Sequence, residues 1–303
     1  MKMNQNNITE IYNSNFNNVN FQTSKILNTD FIFITDLELS MFSNLIYNKT
    51  GIKLDNKKKE FFNGRLQKRL KDLNFKNFSD YYKYVILDLS GQELSNLVDL
   101  IATNHTYFNR EKDHFEFLIN IVLPEITEFL KNNNLNDLRI WCAGCSTGEE
   151  AYTLAMILLE FFGDKYFYWK AGLLATDISE KALKIAKHGV YSDEQLEKLP
   201  LNYRKYFSKL SDGKWLISEK VRVEVEFRRF NLINDNFPFK KPFHIIFCRN
   251  VMIYFDFNSR KKLIKEFRNT LIQGGYLFVG HSESLFNEQD LFKYIKPAVY
   301  RSN

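Results

Sequence analysis

The sequence predicts an α/β protein in which a doubly wound sheet carries a small antiparallel β insertion and follows an all-α domain. Three observations predict it. From Leu37 to about Leu130 apolar residues recur at helical spacing with no strand pattern. Short apolar runs then alternate with helical stretches, the order a largely parallel sheet requires. One later stretch switches to period-two alternation, the mark of strands with one wet face.

The elements follow in chain order. Residues 1–30 are rich in Asn, Thr and Ser and are expected to be loosely ordered. Residues 31–130 read as the helical domain, in which Phe62, Leu66, Leu70 and Leu73 draw one apolar stripe. Gly91 and Asn132-Asn133-Asn134 are breaks. Residues 131–303 read as the α/β domain. Leu138 to Cys142 is its first strand, followed by a glycine turn and a helix from about Glu149 to Phe161. Ala171 to Thr176, Phe243 to Cys248 and Gly275 to Gly280 are further strands; Ser179 to Lys187 and Ser259 to Leu271 are helices. After a turn at Ser211-Asp212-Gly213 come Lys214 to Ser218 and Val221 to Phe230. There Val221, Val223, Val225 and Phe227 alternate with Arg and Glu, so residues 208–230 are assigned to the antiparallel insertion. Ala298-Val299-Tyr300 offers a last strand.

Composition narrows the function. A chain of 303 residues with 45% hydrophobic residues can bury a core. A net charge of +6 permits an acidic partner but is too mild and scattered for a nucleic-acid binder. No run is long and apolar enough to span a membrane, and the polar start is no signal peptide, so a cytoplasmic monomer is expected. Cys142 and Cys145 have C-x-x-C spacing, but neither a second such pair nor a spaced His pair completes a metal site. With Cys248 they are read as reduced structural thiols. His105, His244 and His281 also lack ligand spacing and are read as solvated or capping, so no metal is expected.

Strand, glycine turn, helix, and a strand ending in an acid describe a cofactor crevice. Ala143-Gly144-Cys145-Ser146-Thr147-Gly148-Glu149-Glu150 sits where the first strand turns into its helix. It is neither the dinucleotide fingerprint nor a phosphate loop. Two acids at that turn would repel a pyrophosphate and suit an ammonium, which favours a sulfonium cofactor with an amino-acid tail. Asp177 is placed to accept from ribose hydroxyls. The blander alternative makes Gly144 and Gly148 a tight turn and Asp177 a helix cap.

Five runs then carry a resemblance: Thr103-Asn104-His105-Thr106-Tyr107-Phe108-Asn109-Arg110; Ser146-Thr147-Gly148-Glu149-Glu150; Asn231-Leu232; Phe247-Cys248-Arg249-Asn250-Val251-Met252-Ile253-Tyr254-Phe255; and Gly280-His281-Ser282-Glu283. In this order they resemble the CheR family of chemotaxis receptor methyltransferases, from about Leu37 to Tyr300. The resemblance implies a Rossmann-like methyltransferase domain using S-adenosyl-L-methionine and releasing S-adenosyl-L-homocysteine. It implies that Asn104, Thr106, Arg110, Glu150, Asp177, Asn231, Leu232, Arg249 and Asn250 surround the cofactor, to which the turn after the first strand adds Gly144. Arg110 and Tyr254 would lie nearest the transferred methyl. Three positions depart from the family pattern: Asn109 for a second Phe, Ala151 for Pro, and His244 for Asp.

The implied substrate is a glutamate side chain on the cytoplasmic helical domain of a chemotaxis receptor. Its carboxylate titrates near 4.3, so it is already ionised and needs no general base. Arg110 would either orient that anion or clamp the cofactor's own carboxylate. On the helix from about Asp55 to Leu73, Lys57, Arg65, Lys68 and Lys71 oppose the apolar stripe. They form a receptor-docking face or simply a solvated one. The short turn at residues 208–213 is expected to make the enzyme independent of a receptor C-terminal pentapeptide. The alternatives are methylation of another substrate, and a cofactor-binding regulator without turnover.

Overall fold

The computed structural model describes residues 31–54, 58–285 and 288–303. The N-terminal segment expected to be loosely ordered, and Lys57, lie outside the described residues. The described residues divide into two compact units, one of residues 31–43 and 58–91, the other of residues 44–54, 92–285 and 288–303. The helices from Gln92 onward therefore group with the sheet, well ahead of residue 130. Helical periodicity reports that a face is buried, not which core buries it.

In the first unit the helices are the start of α1 (Asp36–Thr50), then α2 (Lys59–Asp72) and α3 (Phe78–Leu87). Phe62, Leu66 and Leu70 of the predicted stripe are fully buried. Phe42 meets Phe62 at 5.3 Å and Tyr81 at 5.9 Å between ring centroids, an aromatic core. Two amides on α2 fix the preceding segment. Asn63 Oδ1 accepts from Ile34 N (3.1 Å), and Gln67 exchanges bonds with the Ile32 backbone. Asn77 caps α3 by accepting from Asp80 N at 2.8 Å.

The second unit opens, after the end of α1, with α4 (Gln92–Ile101), α5 (Lys112–Phe117) and α6 (Leu123–Asn132). A π-type turn, Leu118–Val122, joins the last two just ahead of Pro124, which has no N–H for the regular α ladder. The sheet strands are β1 (Asp137–Ala143), β2 (Lys170–Asp177), β6 (Val225–Arg229), β7 (Phe243–Cys248), β8 (Leu271–Val279), β9 (Phe292–Lys296) and β10 (Val299–Ser302). Their order is β6-β2-β1-β7-β8-β10-β9. The first five are mutually parallel, β10 runs antiparallel to both of its neighbours, and β9 beyond it runs in the direction of the first five. Chain order reverses between β1 and β7, and ligands bind such folds at that switch point, beyond the strand ends.

Phenylalanine fills both faces. Trp141 on β1 is fully buried among Phe230, Phe237, Phe239, Phe243 and Phe267. On the other face Phe247 and Phe278 stack at 4.3 Å, with Phe115 beyond. The helices are α7 (Glu149–Phe162), α8 (Glu180–His188), α9 (Asp193–Leu196), α10 (Glu219–Arg222) and α11 (Phe257–Thr270).

The β insertion differs from its expected extent of 208–230. Its three strands are β3 (Val190–Tyr191), β4 (Phe207–Lys209) and β5 (Trp215–Ile217), ordered β3-β5-β4 and antiparallel. Glu219–Arg222 is a helical turn, and Val225–Arg229 is the parallel edge strand of the main sheet, beside β2. Val225 and Phe227 point inward as predicted, but Val223 is 65% exposed. Alternation shows that one face of a strand is wet, and a parallel edge strand has such a face as readily as an antiparallel one.

Candidate functional site

Beyond the ends of β1 and β7 lies a cavity of about 290 Å³ in the second unit. It collects every residue expected to hold the cofactor or touch the methyl: Asn104, Thr106, Arg110, Gly144, Glu150, Asp177, Asn231, Leu232, Arg249, Asn250 and Tyr254.

The wall at β1 is made by backbone geometry. Gly144 (φ +90°) and Cys145 both donate to Thr176 O, at 2.8 and 2.9 Å. A Cβ on Gly144 would come within 2.3 Å of Val251 Cγ2, so no larger residue fits there. Ser146 takes φ +49°, and its N–H donates to Asp177 Oδ2 at 2.8 Å. Asp177 Oδ1 accepts from Ser179 N at 2.9 Å. Helix α8 is capped by Ser179, whose hydroxyl accepts from Ala182 N. Burial raises the Asp177 carboxyl above its ordinary range, against the pull of these N–H donors. The carboxylate lines the cavity and retains acceptor capacity for a hydroxyl.

The floor is ionic. Arg249, its side chain 1% exposed, lies between two carboxylates. Nη1 donates to Glu150 Oε2 at 2.8 Å and Nη2 to Glu111 Oε2 at 3.0 Å; Nη2 also bonds Arg110 O. Cys142 Sγ approaches Glu150 Oε1 at 3.2 Å. One cation shared by two anions leaves the floor one net negative charge. Glu111 was not singled out in the sequence, although it directly follows Arg110. Burial raises its carboxyl, but the Arg249 charge and hydrogen bonds and the Asn250 amide outweigh this and leave it below the ordinary value.

The wall at β7 hangs on Glu283. This carboxylate, 4% exposed, accepts from Gly280 N, Asn250 N (2.8 Å) and Ile253 N (3.2 Å). Burial raises its pKa against those donors. A Cβ on Gly280 would lie 2.4 Å from Asn250 Nδ2, so the two loops pass at backbone distance. Asn250 (φ +60°) turns its amide to Glu111 Oε1 at 3.2 Å. Tyr254 closes this side, its carbonyl accepting from Lys53 N at 3.1 Å. Asn231 lines the cavity, but its side chain serves the fold. Its oxygen accepts from Ile233 N and its amide donates to Lys49 O at 2.8 Å. Arg110 Nη1 bonds His105 O at 2.8 Å, with Tyr107 5.8 Å beneath its guanidinium. Asn109, where the resemblance led to Phe, takes φ +59°, a conformation Asn adopts more readily than Phe.

The remaining readings divide. Cys142, Cys145 and Cys248 are buried free thiols, raised in pKa by burial. His244 is neither solvated nor a cap. It is 3% exposed, accepts from Arg139 N at 3.0 Å, and burial pushes it down to about 4. Strand β7 is covered on both faces, so a side chain there is dry. His281 pairs with Asp113 at 3.2 Å. Among the described residues Glu111, His114 and His281 bring ligand atoms within 4.8 Å of one another. Arg249 already occupies Glu111, so a metal ion there would face a buried cation. Arg65, Lys68 and Lys71 on α2 belong to the first unit and are exposed, Arg65 over the Phe61 ring.

A doubly wound sheet with a glycine turn, an acid ending β2 and a negatively charged floor at the switch point defines an S-adenosylmethionine-dependent methyltransferase. Residues 104–301 match the family model for the CheR methyltransferase SAM-binding domain, and residues 37–102 match that for the CheR all-alpha domain. The chain is 43% identical over 273 residues to the chemotaxis protein methyltransferase of Borreliella burgdorferi, covering 90% of this chain and 96% of that one. It is 35% identical to chemotaxis protein methyltransferase 2 of Vibrio cholerae, covering 86% and 90%. With the Escherichia coli chemotaxis protein methyltransferase the identity is 32%, covering 92% and 96%. The chain belongs to the CheR methyltransferase family, and its cofactor is S-adenosylmethionine.

Proposed function

We propose that this protein methylates glutamate side-chain carboxylates on the cytoplasmic helical domain of chemotaxis receptors. The products are glutamyl methyl esters and S-adenosylhomocysteine. The observation that carries the reading is the charge content of one cavity, whose lining brings Glu150 and Asp177 together with Arg110 and Tyr254. When bound, S-adenosylmethionine supplies a sulfonium methyl, and the electron pair of its carbon–sulfur bond stays on sulfur.

The residues fit such a cofactor. The negative floor suits an ammonium, with Glu150 as its partner. The acceptor capacity of Asp177 suits ribose hydroxyls. Ile178, Phe230 and Leu232 give an apolar wall for a base, and Asn250 and the backbone around Asn231 supply polar edges. Arg110 either orients the accepting carboxylate or clamps the cofactor's own carboxylate. A tight Arg–carboxylate pair would stabilise the ground state, so alignment and water exclusion do the work, with Tyr254 as wall and donor. No histidine or acid is needed as base, because the acceptor is already ionised.

Arg65, Lys68 and Lys71 would dock the acidic receptor helices, independently of a receptor C-terminal pentapeptide. The protein would act in the cytoplasm as a monomer. No helix among the described residues is long and apolar enough to cross a membrane.

The test is incubation with methyl-labelled S-adenosylmethionine and a chemoreceptor cytoplasmic fragment. Base-labile label released as methanol is expected. Cofactor binding with no label on the receptor would remove the proposed substrate.

A further inference from the structure

We propose that Glu111 is a positioning residue for the cofactor's amino-acid end: by sharing Arg249 it leaves Glu150 with charge to offer the ammonium. This rests on the reading of Glu150 as the ammonium's partner. Glu150, Arg249 and Asn250 line the cavity and Glu111 does not, so Glu111 acts on a bound molecule through the residues it holds, Arg249 first among them.

The Arg249 side chain is 1% exposed and cannot turn to water. Glu150 takes one edge of the guanidinium through Nη1, and Glu111 takes the other through Nη2 (3.0 Å) and Nε (3.3 Å). Without Glu111, Arg249 and Glu150 would be a neutral one-to-one pair, and the floor itself would carry no net charge to offer a cation. With it, one unit of negative charge remains, and Glu150 is the carboxylate through which the cavity meets it.

Glu111 is built to stay in place. Its backbone sits at φ +53°, outside the usual region for a non-glycine residue. Its second oxygen accepts from Asn250 Nδ2 at 3.2 Å. Behind it His114 is fully buried, neither ring nitrogen has a hydrogen-bond partner, and Nδ1 stands 3.6 Å from Glu111 Oε2. Burial and Arg249 keep that ring uncharged, its pKa pushed down to about 4, so it does not compete for the carboxylate.

Calorimetry with two ligands tests the idea. S-adenosylhomocysteine carries the ammonium without the sulfonium; 5′-methylthioadenosine lacks the whole amino-acid end. E111Q and E150Q are each expected to lose about tenfold or more in affinity for the first and under about twofold for the second. E111D keeps the charge and should retain the discrimination. Selective loss in E150Q but not in E111Q overturns the role of Glu111 and leaves that of Glu150. No selective loss in either variant removes the reading of Glu150, and this inference with it. Equal loss of both ligands in E111Q, or E111D behaving as E111Q, also overturns it, because a damaged cavity does not single out an ammonium.

Discussion

Asp177, ending β2, and Glu283, just past β8, are both buried carboxylates fed by backbone N–H groups, yet only the first lines the cavity. Asp177 accepts from Ser146 N and Ser179 N and still faces the cavity. Glu283 accepts from Gly280 N and from N–H groups of the Asn250–Ile253 loop, away from the cavity lining. One side of the site is therefore a binding surface, and the other is a scaffold that sets where Tyr254 stands. Ligand affinity should depend on the first and turnover on the second.

Gly144→Ala should have the largest effect. Added to strain at φ +90°, the clash with Val251 should cost at least about 2 kcal/mol and abolish cofactor binding. Denaturant midpoints and calorimetry read both losses; a tolerated alanine would show that the two loops move apart freely. Asp177→Asn should weaken cofactor binding about tenfold or more while leaving kcat at saturating cofactor within a few fold. Glu283→Gln should do the reverse, lowering kcat about tenfold with cofactor affinity within about threefold. If both variants moved the same parameter, the distinction between surface and scaffold would collapse.

Acidity separates the anions further. Burial raises Asp177 and Glu283, so the folded protein holds their protons more tightly than the unfolded chain. Their ionisation therefore subtracts stability as pH rises from about 4. Glu283→Gln should flatten that decline in melts taken upward from about pH 4. Glu111 is lowered instead, so it contributes stability above its unfolded pKa and loses it as pH falls through the folded one. Glu111→Gln should therefore soften acid unfolding below about pH 4. The smallest effect lies in the other unit. Arg65→Gln with Lys68→Gln should raise the receptor KM a few fold, more at low salt, and leave cofactor binding unchanged.

The Asp177 side was legible because glycines and an acid at a strand end have fixed sequence offsets. Gly144, Glu150 and Asp177 declare themselves within one strand–helix–strand unit. The anchors were not legible from spacing. Glu283 appears in the last quoted run, but nothing in sequence says that its oxygens collect the N–H groups of a loop thirty residues earlier. Glu111 looks like the first charged residue of an ordinary helix. Val221 to Phe230 failed for a related reason. The face of a strand is written in its alternation, whereas its neighbour is chosen by crossover connections the alternation does not contain.

The three cysteines give this chain a practical property. All are buried, and burial keeps each in its unreactive thiol form. Alkylating dyes should therefore leave the folded wild-type protein unlabelled. A single Lys68→Cys replacement would be the only thiol such a reagent could reach. One fluorophore could then be set on the α2 face, and its emission followed as the proposed receptor fragment is added, with no background to remove.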